Sequence, residues 1–133
     1  MTRNVSQSNA LYERAKAVIP GGIYGHYGYF VRDTGPKFFS RSNGSCFWDV
    51  DDNEYIDYRL AYGPYILGYA DERVDQAARE GMEIGGVFAL ATELEYEVAQ
   101  KISSMVPSAE LVRYSNSGTE AVMAAVRVGR AVS

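Results

Sequence analysis

Apolar positions recur along this chain with two different periods, and the changes of period mark out its elements. From Asn9 to Ile19, Leu11, Ala15, Val18 and Ile19 keep helical spacing, with Ser8 or Asn9 as the cap and Pro20-Gly21-Gly22 as the stop. Residues 1–8, which precede it, are polar and expected to be loose. Gly22 to Tyr29 is rich in Gly and Tyr and reads as an irregular loop. Short strands are then predicted at Tyr29–Arg32, Lys37–Arg41, Ser45–Asp49 and Glu54–Tyr58. Asp33-Thr34-Gly35-Pro36, Ser42-Asn43-Gly44 and Val50 to Asn53 supply the turn chemistry between them. Asn-Gly favours a tight hairpin because both residues tolerate positive φ. These signals predict a small antiparallel meander.

After Gly68 the helical period returns. Val74, Ala77, Ala78 and Met82 share a face that Gly85-Gly86 terminates. Thr92-Glu93-Leu94-Glu95 has capping-box spacing and precedes an apolar stripe of Leu94, Val98, Ile102 and Met105, running up to Pro107. Leu111 to Ser115 reads as a short strand. Ser117-Gly118-Thr119 turns from it into a third helix, whose Ala121, Ala124, Ala125 and Val128 suit close packing on a sheet. That helical pattern is still running at Val132-Ser133. One strand followed by one helix is half of a βαβ unit and makes no parallel sheet alone. Truncation of a longer α/β chain is therefore expected.

Composition narrows the classes. The 133 residues are 47% hydrophobic and 23% charged, the balance of an ordinary globular protein. A net charge of -4 without a basic run argues against a nucleic-acid surface. Cys46 is the only cysteine and His26 the only histidine, too few soft ligands for a structural zinc site. A lone thiol forms no internal disulfide and fits a reducing, cytoplasmic setting. No stretch approaches the roughly 20 apolar residues of a membrane helix, and the polar start is not a signal peptide.

The strongest chemical signal is Tyr114-Ser115-Asn116-Ser117-Gly118-Thr119-Glu120-Ala121. A strand, a Ser-Gly-Thr corner and a helix start gather backbone N–H groups, two hydroxyls and the positive helix end around one point, where a phosphate would sit well. By spacing alone, an ordinary helix N-cap explains the same residues. Asp49-Val50-Asp51-Asp52-Asn53 fails as a calcium loop, because Glu54 stands where glycine is needed and Leu60 where a bidentate Glu is needed. A carboxylate-rich hairpin turn is the simpler reading. His26, among Gly25, Tyr27 and Gly28, is either a substrate-contacting loop residue or structural. Tyr62, before Gly63-Pro64, is an aromatic placed on a loop where it can meet a ligand.

Three segments resemble class III aminotransferases, and most of all their glutamate-1-semialdehyde aminomutase branch. They are Leu11-Tyr12-Glu13-Arg14-Ala15 through Pro20-Gly21-Gly22, Trp48-Asp49-Val50-Asp51 through Tyr55-Ile56-Asp57-Tyr58, and Val112-Arg113 through Ala121. Tyr62-Gly63-Pro64 and Leu67-Gly68 fall between them in the expected order, so the likeness is collinear over about residues 9 to 130. The resemblance implies an α/β fold of the pyridoxal-phosphate (PLP) fold-type I class. Residues 1–60 would belong to a small domain, and residues 61–133 would begin the large PLP-binding domain. It implies PLP held by Ser117, Gly118 and Thr119, a homodimer with active sites at its interface, and a small-molecule amino donor and carbonyl acceptor. The segment Val87–Thr92 resembles one that approaches the partner's cofactor. Tyr62 would line the substrate pocket, with Tyr24, His26 and Gly28 toward its entrance.

Two departures bear on substrate. The arginine expected to hold the substrate carboxylate in the aminomutase branch falls by register on Gly28, and the tryptophan of that branch is Tyr62 here. Both weigh toward an amino-acid or amine transaminase, with the aminomutase as the alternative. A non-catalytic dimerising fragment and a small anion-binding module unrelated to PLP are the other two readings. The resemblance also places the Schiff-base lysine, the pyridine-nitrogen carboxylate and the ring-stacking aromatic beyond residue 133. Lys16, Lys37 and Lys101 have no comparable setting, so no catalytic residue is expected within this chain, and alone it should not transaminate.

Overall fold

A computed structural model of the chain describes residues 3–24, 35–86 and 89–133. They fall into two units, Met1–Ile84 and Gly85–Ser133. The first holds helix α1 (Ser6–Lys16), strands β1 (Phe39–Asn43), β2 (Cys46–Asp49) and β3 (Glu54–Ile56), and helix α2 (Glu72–Glu83). The second holds helices α3 (Glu93–Met105) and α4 (Gly118–Val132).

The expected meander is present as a three-stranded antiparallel sheet in the order β1-β2-β3. Arg41 pairs with Trp48 and Asn43 with Cys46, and the register slips between Phe39 and Arg41. At that bulge the Ser40 hydroxyl donates to the Trp48 and Asp49 carbonyls at 3.3 and 3.0 Å. The hairpin loop is Gly44-Ser45, one residue later than its sequence signal, with Asn43 ending β1. Across β2 and β3 the paired Phe47 and Tyr55 stack at 5.0 Å, and on β1 the Arg41 guanidinium lies 3.8 Å over Trp48. Such cross-strand ring and cation–π contacts hold a sheet this small together. The strand expected at Tyr29–Arg32 lies outside the described residues.

Helix α1 is displaced three residues toward the amino terminus from its predicted span, and residues 6–8 are helical rather than loose. The cause is a partner distant in sequence. Asp51, in the turn between β2 and β3, accepts from the Gln7 and Ser8 N–H groups at 2.7 and 2.8 Å, while Asn4 Oδ1 accepts from Ser6 N–H at 3.1 Å. Neither Ser8 nor Asn9 is the cap; the N-cap position is Val5, and the first-turn donors are satisfied by those two side chains. At the other end the helix tightens through Ala17 N–H to Arg14 O and Val18 N–H to Ala15 O, ahead of Pro20. Gly22 then presses against α1. A Cβ there would lie 2.5 Å from Tyr12 Cε2, and its φ of +76° also favours glycine.

Burial in the first unit is small and partly polar: Val5, Ser8, Ala15, Gly22 and Asp49 are its buried described residues. Asp49 is the hub. Its Oδ1 accepts from the N–H groups of Asp51 and Asn53, each at 2.9 Å, and its Oδ2 from Asn53 Nδ2 and Tyr55 Oη, also at 2.9 Å. The Asn53 amide also donates to Asn4 O at 2.6 Å, tying the amino-terminal segment to the turn. Arg3 adds its guanidinium over the Tyr55 ring at 4.2 Å. The carboxylate-rich hairpin turn is therefore an internal cap and clasp.

Helix α2 starts at Asp71, whose carboxylate accepts from Arg73 N–H and pairs with its guanidinium at 2.6 Å. Its apolar Val74 and Met82 stay exposed. In the second unit, Tyr114 Oη donates to Glu95 O of α3 at 2.8 Å, and Ser103 Oγ donates to Ala109 O at 2.7 Å. The capping box expected at Thr92 is absent: the Glu95 N–H that the hydroxyl would take bonds to the Thr92 carbonyl instead. The strand expected at Leu111–Ser115 is likewise absent, because an extended segment becomes a strand only with a neighbour to bond. No described residue of this unit is buried, and Val122, Val126 and Val128 on α4 are all more exposed than covered or nearly so (64, 47 and 59%). No helix among the described residues is long and apolar enough to cross a membrane.

Candidate functional site

The Ser-Gly-Thr corner forms in the second unit as the start of α4. Ser117 is its N-cap with an extended backbone (φ -148°, ψ 159°), and Ser117 Oγ accepts from Glu120 N–H at 3.3 Å. Glu120 reaches back, and its Oε2 accepts from Asn116 N–H at 2.8 Å. Ala121 N–H bonds to Ser117 O. Gly118 and Thr119 are thereby the first-turn donors without an intrahelical acceptor. Nothing lies within 4 Å of where a Gly118 Cβ would be, so the corner is open to an approaching group. Two free N–H groups, a hydroxyl at Thr119 and the positive end of a 15-residue helix suit an anion of phosphate size. Beside the corner a cavity of about 300 Å³ is lined by Arg113, Asn116, Glu120 and Arg127.

The other expected site residues belong to the first unit. Tyr62 ends a left-handed turn, Leu60–Tyr62, with φ values of 49°, 49° and 67° before Gly63 at 116°. Non-glycine residues in this region cost on the order of 1–2 kcal/mol each, so three in a row need external support. Asp57 supplies part of it. Its Oδ1 accepts from the N–H groups of Arg59 at 2.7 Å and Leu60 at 3.1 Å, and its Oδ2 accepts from Tyr69 Oη at 2.5 Å. The Tyr69 hydroxyl, helped by the two N–H groups, outweighs burial and holds the Asp57 carboxyl below its ordinary range. The same bond, with burial, pushes the Tyr69 phenol up to about 12. Tyr62 itself is 59% exposed, with the Arg59 guanidinium 5.0 Å over its ring and donating to its hydroxyl at 3.2 Å.

Tyr24 is fully on the surface and lines a depression of about 350 Å³ with Ile19, Lys37 and Phe39. His26 and Gly28 lie outside the described residues, as do Val87 and Phe88 of the segment expected to approach a partner's cofactor. Two carboxylates that sequence reasoning passed over, Glu120 and Asp57, bond to the segments that carry the expected site residues. Glu120 had a legible signal, the Ser-x-x-Glu spacing of a capping box. Asp57 had a weaker one, an Asx-turn position two residues ahead of a bend.

Lys16 pairs with Glu13 at 2.7 Å, and Lys37 donates to Asn9 Oδ1 at 2.6 Å. Among the described residues no cluster of His, Cys, Asp and Glu could hold a metal ion.

The sequence pattern of the family described as aminotransferase class-III matches residues 29–133. The chain is 48% identical over 127 residues to glutamate-1-semialdehyde 2,1-aminomutase of Acetivibrio thermocellus, covering 95% of this chain and 30% of that protein. Its structure resembles that of an omega-transaminase from Sphaerobacter thermophilus (TM-score 0.88, 34% identity), covering 97% of this chain and 30% of the other. It also resembles a transaminase solved with PLP bound (TM-score 0.89, 33% identity), with the same 97% and 30% coverage. The chain thus spans about 30% of the length of the relatives it matches.

Proposed function

Because the chain belongs to the class-III aminotransferase family, we propose that it supplies the phosphate-holding corner of a PLP-dependent enzyme. That enzyme moves an amino group between an amino acid or amine and a carbonyl acceptor. The observation that carries this reading is the open first turn of α4. Gly118 and Thr119 present N–H groups with no intrahelical acceptor, and Ser117 keeps the backbone extended by capping Glu120. These residues fit a phosphate dianion: the donors hold it, Gly118 leaves room for it, and the helix end favours its charge. PLP supplies the electron sink of the reaction when bound.

On the same reading residues 1–60 belong to the small domain, residues 61–133 begin the PLP-binding domain of a fold-type I homodimer, and the protein works in the cytoplasm. Tyr62 lines the substrate pocket, and Tyr24, His26 and Gly28 lie toward its entrance. On this reading none of Lys16, Lys37 and Lys101 is the Schiff-base lysine, and this chain binds cofactor phosphate without transaminating alone. The aminomutase is the second reading, favoured by the 48% identity to that enzyme and opposed by Gly28 and Tyr62 at the two departing positions.

The test is PLP titrated into the purified chain and followed by absorption, then borohydride reduction and peptide mapping. Thr119→Ala removes one hydroxyl donor to a charged phosphate, a loss of roughly tenfold in affinity for PLP or inorganic phosphate. Unchanged affinity sinks the corner assignment. A reduced adduct on Lys16, Lys37 or Lys101 overturns the expectation that this chain carries no Schiff-base lysine.

A further inference from the structure

The stretch from Asp57 to Tyr69 leaves the sheet and returns to it, with Tyr62 near its middle. Both ends are fastened to the same hairpin loop. Asp57 N–H donates to Ser45 O at 2.8 Å, and Tyr69 exchanges two backbone bonds with Gly44, at 2.9 and 2.8 Å. Gly68 permits that approach, since a Cβ there would lie 2.9 Å from Gly44 O. The ends are also fastened to each other, through the 2.5 Å bond from Tyr69 Oη to Asp57 Oδ2. The second oxygen of the same carboxylate takes the Arg59 and Leu60 N–H groups, the entry into the left-handed turn that ends at Tyr62. Arg59, whose N–H this carboxylate holds, places its guanidinium over the Tyr62 ring and on its hydroxyl.

We propose that Asp57 is the positioning residue for Tyr62, one carboxylate that closes the 57–69 loop through Tyr69 and sets the strained turn that aims the Tyr62 ring. It does not touch substrate. Its effect runs through Arg59, Leu60 and the loop closure. The proposal rests on the reading of Tyr62 as a pocket-lining residue, because only then does the aim of that ring decide which amine is accepted. A left-handed run of three non-glycine residues does not hold itself, and a single group satisfying both its entry and its closure is an economical way to fix it. Compact loops of this length with adjacent ends commonly carry binding residues.

The full chain, labelled with 3-fluorotyrosine and read by fluorine NMR, tests this. Single Tyr-to-Phe variants assign Tyr55, Tyr62 and Tyr69 among the 11 tyrosines. In Asp57→Ala, the Tyr62 and Tyr69 resonances are expected to move, while Tyr55, bonded to Asp49, stays in place. Tyr69→Phe, which removes only the closing hydroxyl, gives a smaller Tyr62 shift and covers the case in which Asp57→Ala does not fold. In acid, the wild-type Tyr62 resonance follows protonation of Asp57, below the ordinary carboxylate range, and Asp57→Asn abolishes that step. A Tyr62 resonance that is the same in wild type, Asp57→Ala and Tyr69→Phe overturns the proposal and leaves the carboxylate a local clasp. The pocket reading is checked separately by adding phosphopyridoxyl-alanine. If Tyr62 ignores that probe but moves in Asp57→Ala, the positioning stands and the pocket assignment fails.

Discussion

Asp49→Ala is the most informative single perturbation of the first unit. The wild-type carboxylate is fully buried and accepts from two backbone N–H groups, the Asn53 amide and the Tyr55 hydroxyl. Alanine removes every acceptor at once and leaves four donors facing a small void. Leaving a buried donor unsatisfied costs about 1–3 kcal/mol, and some of these four can turn to water, so a loss of about 3–5 kcal/mol is expected. The reporter is built in, because Trp48 is the only tryptophan and immediately precedes Asp49 on β2. Urea unfolding followed by Trp48 fluorescence should therefore show the midpoint fall by roughly 2–5 M, taking a slope of about 1–1.5 kcal/mol/M for a unit this small. Asp52→Ala, on the exposed shoulder of the same turn, is the control and should move the midpoint little. A midpoint for Asp49→Ala indistinguishable from wild type would refute the hub. The pH dependence has a definite sign. Burial alone would raise the Asp49 carboxyl, but the bonds from Asn53, Tyr55 and Asp51 outweigh it and hold the group below its ordinary value of 3.8. A folded pKa below the unfolded one contributes stability that is full above the ordinary value and lost as pH falls through the folded one. Asp49→Asn should flatten that acid limb.

Three further outcomes follow from particular geometries. Gly68→Ala forces a side chain onto Gly44 O at a φ of +86°, and should cost more than about 1 kcal/mol, seen as a melting point several degrees lower. Asp52→Gly relieves a non-glycine residue at φ 62° and should raise stability by about 0.5–1 kcal/mol in the same urea assay; a loss would show that the Asp52 side chain contributes something beyond its strain. The Tyr69 phenol, raised to about 12 by Asp57, contributes stability that is present below the ordinary tyrosine value of 10.0 and lost as pH rises through the higher one. Absorbance titration at alkaline pH should show late-titrating tyrosine, to which Tyr55 also contributes, and Tyr69→Phe should remove the latest component.

Much of the local structure was legible because it is set by neighbours in sequence. The hairpin within one residue of Asn43-Gly44, the turn at Val50 to Asn53, the stop at Gly85 and the start of α4 at Ser117 all follow from residues that cap or bend their own backbone. The collinear resemblance added the family, which no spacing alone could deliver, since Ser117-Gly118-Thr119 is equally an ordinary N-cap. What the sequence could not show was anything that one segment does for another far along the chain. Asp51 caps a helix more than 40 residues away and, with Asn4, fixes a start of α1 three residues ahead of its predicted span. Thr92 has the right spacing for a capping box but loses its donor to a backbone carbonyl. Leu111–Ser115 has strand composition but no neighbour to make it one. Asp57 carries only the weak signal of an Asx turn, and only the return of the chain to Gly44 brings Tyr69 onto its carboxylate. Local propensity is written in neighbouring residues, whereas caps, clasps and ladders between distant segments exist only once the chain has folded back on itself.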